Sequence, residues 1–182
     1  MKLQEIIAKR RSIRKFKNIE VREEQIKEIL ESARLAPSAK NKQPWKFVVL
    51  KDEKKNDVAD IMIKWSDDNN AHLDRGKSSV KPTAFAIKQS SVLILVYKDS
   101  NKQWIHGDTL SIGAAVTHMC LMATDMGLGS LWIGDAQHAQ KEINDYLNVD
   151  DMELSTAVAI GYALEDPEPR PRKALEEIVI NK

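Results

Sequence analysis

Four short stretches carry the side chains best suited to chemistry. Lys9 to Lys17 reads K-R-R-S-I-R-K-F-K, with six basic positions in nine. Arginine forks beside a hydroxyl and nearby backbone amides are what a phosphate group binds. The same composition also suits a solvated basic face or a nucleic-acid patch. Ala36 to Trp45 reads A-P-S-A-K-N-K-Q-P-W. Its small hydroxyl and amide side chains can bond the edge of a heterocycle, and they are equally ordinary turn residues. Gly127 to Asp135 reads G-L-G-S-L-W-I-G-D, where glycine lets backbone N–H groups approach a ligand closely. The spacing is not the dinucleotide fingerprint, because these glycines close a helix instead of opening one. Arg170-Pro171-Arg172 puts two arginines in an extended arm, where they either add to an anion site or stay solvated.

Other chemistries find little support. His72, His106, His118 and His138 are scattered, with no H-E-x-x-H spacing, so no metal site is expected. No G-x-S-x-G elbow is present. The single cysteine, Cys120, sits among Val116, Met119, Leu121 and Met122; it reads as a buried apolar residue, and His118 on the same helix as a satisfied interior histidine. A formal net charge of +1 gives no overall pull toward nucleic acid or membrane. No apolar run is long enough to span a bilayer, and the start, Lys2-Leu3-Gln4-Glu5-Ile6, lacks the order of a signal peptide. A cytoplasmic protein is expected.

These stretches need a scaffold, and 182 residues suffice for one domain, 1–182, with a real core. Helical spacing of apolar residues predicts helices over 2–9, 22–35 and 53–65. Trp45–Leu50, Val92–Tyr97, Leu131–Ile133 and Leu154–Tyr162 read as strands. Residues 109–126 are apolar on most faces and predict a helix buried centrally or in a subunit interface, with Asp108 as its cap and Gly127 and Gly129 ending it. Residues 139–147 predict a small helix. The polar run 66–82 reads as a loop. Pro167, Pro169 and Pro171 exclude helix or central strand, and Ile178-Val179-Ile180 reads as a strand-like tip. The fold class is α+β, a central mixed or antiparallel sheet flanked by helices.

Taken in order, R-R-S-x-R, then A-P-S-x-x-N-x-Q-P-W-x-F, then an apolar helix running into G-L-G-S-x-W-I-G, then R-P-R, resembles the nitroreductase family of FMN enzymes. The likeness runs from Leu3 to Val179, and this chain looks like a compact member. The resemblance implies a homodimer with an exchanged C-terminal arm and FMN sites at the subunit interface. Arg10, Ser12 and Arg14 would hold the phosphate and ribityl chain, with Arg11 in the same motif and Arg170 and Arg172 completing the pocket. Pro37, Ser38, Ala39 and Asn41 would come from the partner subunit to line the isoalloxazine ring. Trp132, Ile133 and Gly134 would lie along the flavin, the Ile133–Gly134 backbone offering an N–H to N5. The family's basic residue at the pyrimidine edge has no matched position here; Lys81 and Lys88 are the candidates. NADH or NADPH would reduce the flavin, and a small nitroaromatic or quinone-like acceptor would take the electrons in ping-pong fashion. Enone reduction, dehalogenation, flavin fragmentation and a non-catalytic FMN-binding module are the alternatives on this scaffold.

Overall fold

The structure, a computed structural model, describes residues 2–99 and 104–182. Ten elements follow in chain order: α1 (Leu3–Lys9), α2 (Glu23–Arg34), β1 (Trp45–Leu50), α3 (Asp52–Asp68), α4 (Val80–Gln89), β2 (Val92–Asp99), α5 (Ile105–Asp125), β3 (Gly129–Ile133), α6 (Gln140–Leu147) and β4 (Met152–Gly161). The strands form one antiparallel sheet in the order β1-β2-β4-β3.

Both faces of the sheet are covered, so the central strands carry unbroken apolar stretches, 92–97 in β2 and 157–160 in β4, instead of alternating. On one face Leu93, Leu95, Tyr97, Leu131, Ile133, Leu154 and Ala157 pack with α3, α4 and α6. On the other Ile94, Val96, Val158 and Ile160 pack with α2 and α5. Within this chain α5 buries a stripe at Asp108, Ser111, Ile112, Ala115, Val116, Met119, Cys120, Ala123 and Thr124. Its other side is open, with Leu110 63% exposed. The all-round apolar character seen in the sequence therefore serves one buried face here and leaves a second face for something else. Gly127, at φ +74°, closes α5. Its N–H reaches Thr124 O and the Leu128 N–H reaches Ala123 O, the two bonds of a Schellman stop.

Three local expectations change. The run 66–82 is not all loop: α3 continues to Asp68 and α4 opens at Val80. Pro82 is tolerated because it lies in the first helical turn, where its missing N–H would have no partner. Helix α4 was hidden behind that proline, although Val80, Ala84 and Ile87 are its buried stripe. Asp108 is not a cap, since α5 begins a turn earlier at Ile105. The tip Ile178–Ile180 is not a strand: Leu175–Glu177 form one 3-10 turn and irregular chain follows.

Candidate functional site

Residues 12–17 thread between the edge of the sheet and the chain leaving β4. Ile13 N donates to Ser130 O at 3.0 Å and Lys17 N to Tyr162 O at 2.8 Å. The Glu165 carboxylate accepts from the backbone N–H groups of Arg14 (2.5 Å) and Lys15 (3.1 Å). Two glycines allow this close passage. A Cβ on Gly129 would stand 2.9 Å from Ile13 Cγ1, and one on Gly161 2.8 Å from Phe16 Cδ1. The basic motif is thereby laid on a fixed track.

Arg10, Arg11, Ser12, Arg14, Arg170 and Arg172 all line one cleft of about 440 Å³, together with Pro167, Glu168 and Pro169. Among the described residues, no carboxylate lies at ion-pair distance from the side chains of Arg10, Arg14, Arg170 or Arg172. Four guanidinium groups without acidic partners facing one cleft fit a phosphate-bearing ligand. Arg11 is used differently. Its guanidinium donates to the carbonyls of Ala8 (2.6 Å), Arg10 (3.0 Å) and Pro167 (3.2 Å), tying α1 to the arm.

The loop 37–43 lies against α5 and not in that cleft. Pro37, Ser38 and Ala39 line a second hollow with Gly107, Leu110, Ser111 and Ala114. Ala39 N donates to Ser111 Oγ (3.0 Å), which donates to Gly107 O (2.6 Å). Gln43 N donates to Ser38 Oγ at 3.0 Å. Lys40, Asn41 and Gln43 all have positive φ, at 52°, 54° and 50°. Such strain, about 1–3 kcal/mol per residue, concentrates where a loop must hold one shape for a ligand. Lys42 pairs with the buried Asp108 at 3.1 Å, and the Lys40 ammonium stands 4.2 Å from the Trp104 ring centroid.

At the end of β3, Trp132 is 47% exposed while Ile133 is buried. Gly134 is exposed, with open space where a side chain would be. Asp135 accepts from Ser79 Oγ (3.0 Å) and Thr83 Oγ1 (2.7 Å), pinning the segment before α4 to this turn. Lys81 and Lys88 are paired with Asp67 and Asp60 on α3 and line neither cleft.

The structure thus assembles the arginines and Ser12, and leaves Pro37, Ser38 and Ala39 in a separate hollow of the same chain. Sequence reasoning missed Glu165 and Ser111, which bond backbone amides far along the chain. Among the described residues no three His, Cys, Asp or Glu gather as a metal site, and no helix is long and apolar enough to cross a membrane. Cys120 is buried, and burial pushes its thiol up. His118 is half-buried and not interior, with Nδ1 3.0 Å from Ser32 O.

Comparison with known proteins agrees with this architecture. A "BluB-like flavoprotein" from Clostridium difficile 630 superposes with a TM-score of 0.88 at 28% identity, covering 100% of this chain and 99% of that one. A protein from Desulfovibrio desulfuricans, described as a "putative nitroreductase in complex with fmn", superposes with a TM-score of 0.81 at 25% identity, covering 100% and 97%. The "Putative NAD(P)H nitroreductase YfhC" of Bacillus subtilis is 25% identical over 177 residues, 96% of this chain and 91% of that protein. The pattern of the nitroreductase family matches residues 7–162, nearly all of the four-stranded scaffold. The chain belongs to the nitroreductase family.

Proposed function

We propose that this chain is an FMN-dependent NAD(P)H oxidoreductase that works as a cytoplasmic homodimer and reduces small electron-poor acceptors such as nitroaromatics or quinones. The observation that carries the reading is the cleft lined by Arg10, Arg14, Arg170 and Arg172, none of which has an ion-pair partner among the described residues, in a chain of this family. FMN, when bound, supplies a carrier that takes hydride from NADH or NADPH and passes it to the acceptor.

Every other task falls to the protein. Arg10, Ser12, Arg14, Arg170 and Arg172 hold the phosphate end; Arg11 shapes the cleft through its three carbonyl bonds. Pro37, Ser38, Ala39 and Asn41 of a second copy line the ring. This explains why one chain carries them in a separate hollow, and why Leu110 on α5 and the apolar residues of the arm stand exposed. Trp132 and the Ile133–Gly134 backbone face the ring, and the Gly134 N–H donates to it. A backbone donor aimed where charge develops is worth about 3 kcal/mol. A donor that leaves before the acceptor arrives gives parallel lines in initial-rate plots.

The test is the visible spectrum of the protein with added FMN, taken anaerobically before and after NADH or NADPH. A bound flavin that bleaches supports the oxidoreductase. A bound flavin that stays oxidised favours a non-catalytic FMN-binding module, and absence of binding refutes the reading. The Arg14→Ala protein should bind FMN about 10- to 100-fold more weakly, as expected for the loss of a charge-assisted bond. Unchanged affinity by fluorescence titration would remove Arg14 from the site.

A further inference from the structure

Strand β4 carries a bulge where its pairing changes. Thr156 lies opposite Val96 but Leu154 lies opposite Tyr97, so Ser155 is extra. On the other side, β3 makes its last pair at Ile133 with Ala157. Thr156 therefore sits one residue beyond the end of β3. Its hydroxyl is buried and diagonal to Trp132, which pairs with Val158. A bulge commonly re-aims a side chain in this way.

The Thr156 hydroxyl is used twice. Trp132 Nε1–H donates to Thr156 Oγ1 at 2.8 Å, and Thr156 Oγ1–H donates to Ile133 O at 2.7 Å. That carbonyl belongs to the same peptide unit as the Gly134 N–H. A trans peptide is planar, with C=O and N–H pointing in opposite directions. Holding the carbonyl inward on Thr156 turns the N–H outward, at a residue that is itself exposed. A hydroxyl donating to an amide carbonyl also polarises the amide and strengthens its N–H as a donor. On the far side of the peptide unit, Asp135 is held by Ser79 and Thr83, so the unit is fixed at both ends.

We propose that Thr156 is a positioning residue: through the relay from Trp132 to Thr156 to the Ile133 carbonyl, it aims and strengthens the Gly134 N–H as a donor to the redox ring. The proposal rests on the reading that Gly134 faces the flavin. Thr156 touches no ligand itself, and nothing in its own sequence context, S-T-A-V-A-I, marks it.

The experiment compares wild type with Thr156→Val, which removes the hydroxyl but keeps the β-branched shape, and Thr156→Ser, which keeps the hydroxyl. The first readout is the Gly134 amide resonance in FMN-free, 15N-labelled protein, with the remaining amides reporting that the sheet is intact. In the Val variant the Gly134 proton should move upfield and its exchange with solvent change; in the Ser variant both should return. The second readout is the FMN-loaded enzyme. The Val variant should have a shifted flavin midpoint potential and an about tenfold lower kcat, with FMN affinity within about threefold of wild type because the arginine cleft is untouched. An unmoved Gly134 amide in an intact Val variant overturns the proposal, whatever FMN does. A moved amide with unchanged potential and kcat also overturns it, because the N–H then serves no redox ring. If neither wild type nor variant binds FMN, it is the functional reading that fails, and the amide shift still decides whether Thr156 orients the peptide.

Discussion

Strand β2 and the arm beyond Leu164 contain the same kinds of residue in opposite surroundings. Val92 to Tyr97 are all 0% exposed, whereas Leu175, Ile178, Val179 and Ile180 are 66, 61, 46 and 84% exposed. The strand has neighbours on both edges and helices over both faces. The arm begins with three alternating prolines, which supply no N–H to a ladder and cannot enter a helix interior. One apolar run is satisfied within the chain, and the other is presented outward. Side-chain type sets the demand for burial, and backbone chemistry decides whether the same chain can meet it. An exposed apolar run of this kind suits burial against a second surface, and the arm also carries Arg170 and Arg172 into the arginine-lined cleft.

The largest expected effect comes from removing the arm. A variant ending at Glu168 should keep the circular dichroism of the folded chain, because every residue it loses is exposed. The proposed homodimer should dissociate at least about 1,000-fold more readily, as burial of a large aliphatic side chain contributes about 1.5–3 kcal/mol. Sedimentation equilibrium decides it. A truncated chain that stays dimeric would show that the arm is not half of the interface.

A smaller effect should come from Gly129→Ala, which probes how tightly the sheet governs the basic motif. The new Cβ needs room within 3.0 Å of three Ile13 atoms, and Ile13 stands between Ser12 and Arg14. Overpacking of this kind costs about 1–3 kcal/mol, and FMN affinity should fall several-fold with it. Stability lost without affinity lost would mean that the arginines take up their positions independently of the sheet.

The contrast also explains what was legible in advance. Strand β2 stood out because a strand buried on both faces is an unbroken apolar run bounded by polar residues, and β1 because Trp45, Phe47, Val48 and Val49 are aromatic or β-branched. Helix α2 stood out because Ile26, Ile29 and Ala33 repeat at helical spacing. Helix α4 did not, because Pro82 reads as a breaker unless the first turn is known to begin at Val80. The tail failed as a strand because Ile178-Val179-Ile180 has strand composition without a partner, and pairing is not a local property. In the candidate site, the arginines and Ser12 were readable as residue types that suit a phosphate. Glu165 and Thr156 were not, since one serves backbone amides 150 and 151 residues away and the other depends on a one-residue bulge.

The finest test of the contrast is alkaline stability, because a buried phenol titrates and an exposed arm has no counterpart. Tyr97 is 0% exposed and donates to Asn144 Oδ1 at 3.0 Å. Burial pushes its phenol from 10.0 up to about 12. The folded chain therefore holds this proton more tightly than the unfolded chain. The stability it contributes is complete below pH 10 and lost as pH rises through about 12, at no more than about 1.4 kcal/mol per pH unit. Lys55 works in the opposite sense. Burial lowers its pKa, so the unfolded chain holds that proton more tightly and stability rises toward pH 10.5, partly offsetting the tyrosine. Tyr97→Phe should cost about 0.5–1.5 kcal/mol at pH 7 for the lost bond to Asn144, yet decline less steeply between pH 10 and 12. The variant ending at Glu168 should follow the wild-type slope. Urea unfolding at pH 7, 10 and 11 separates the cases: a Tyr97→Phe protein that declines as steeply as wild type would show that the titrating group lies elsewhere, and that burial in β2 is not what sets the alkaline limit of this fold.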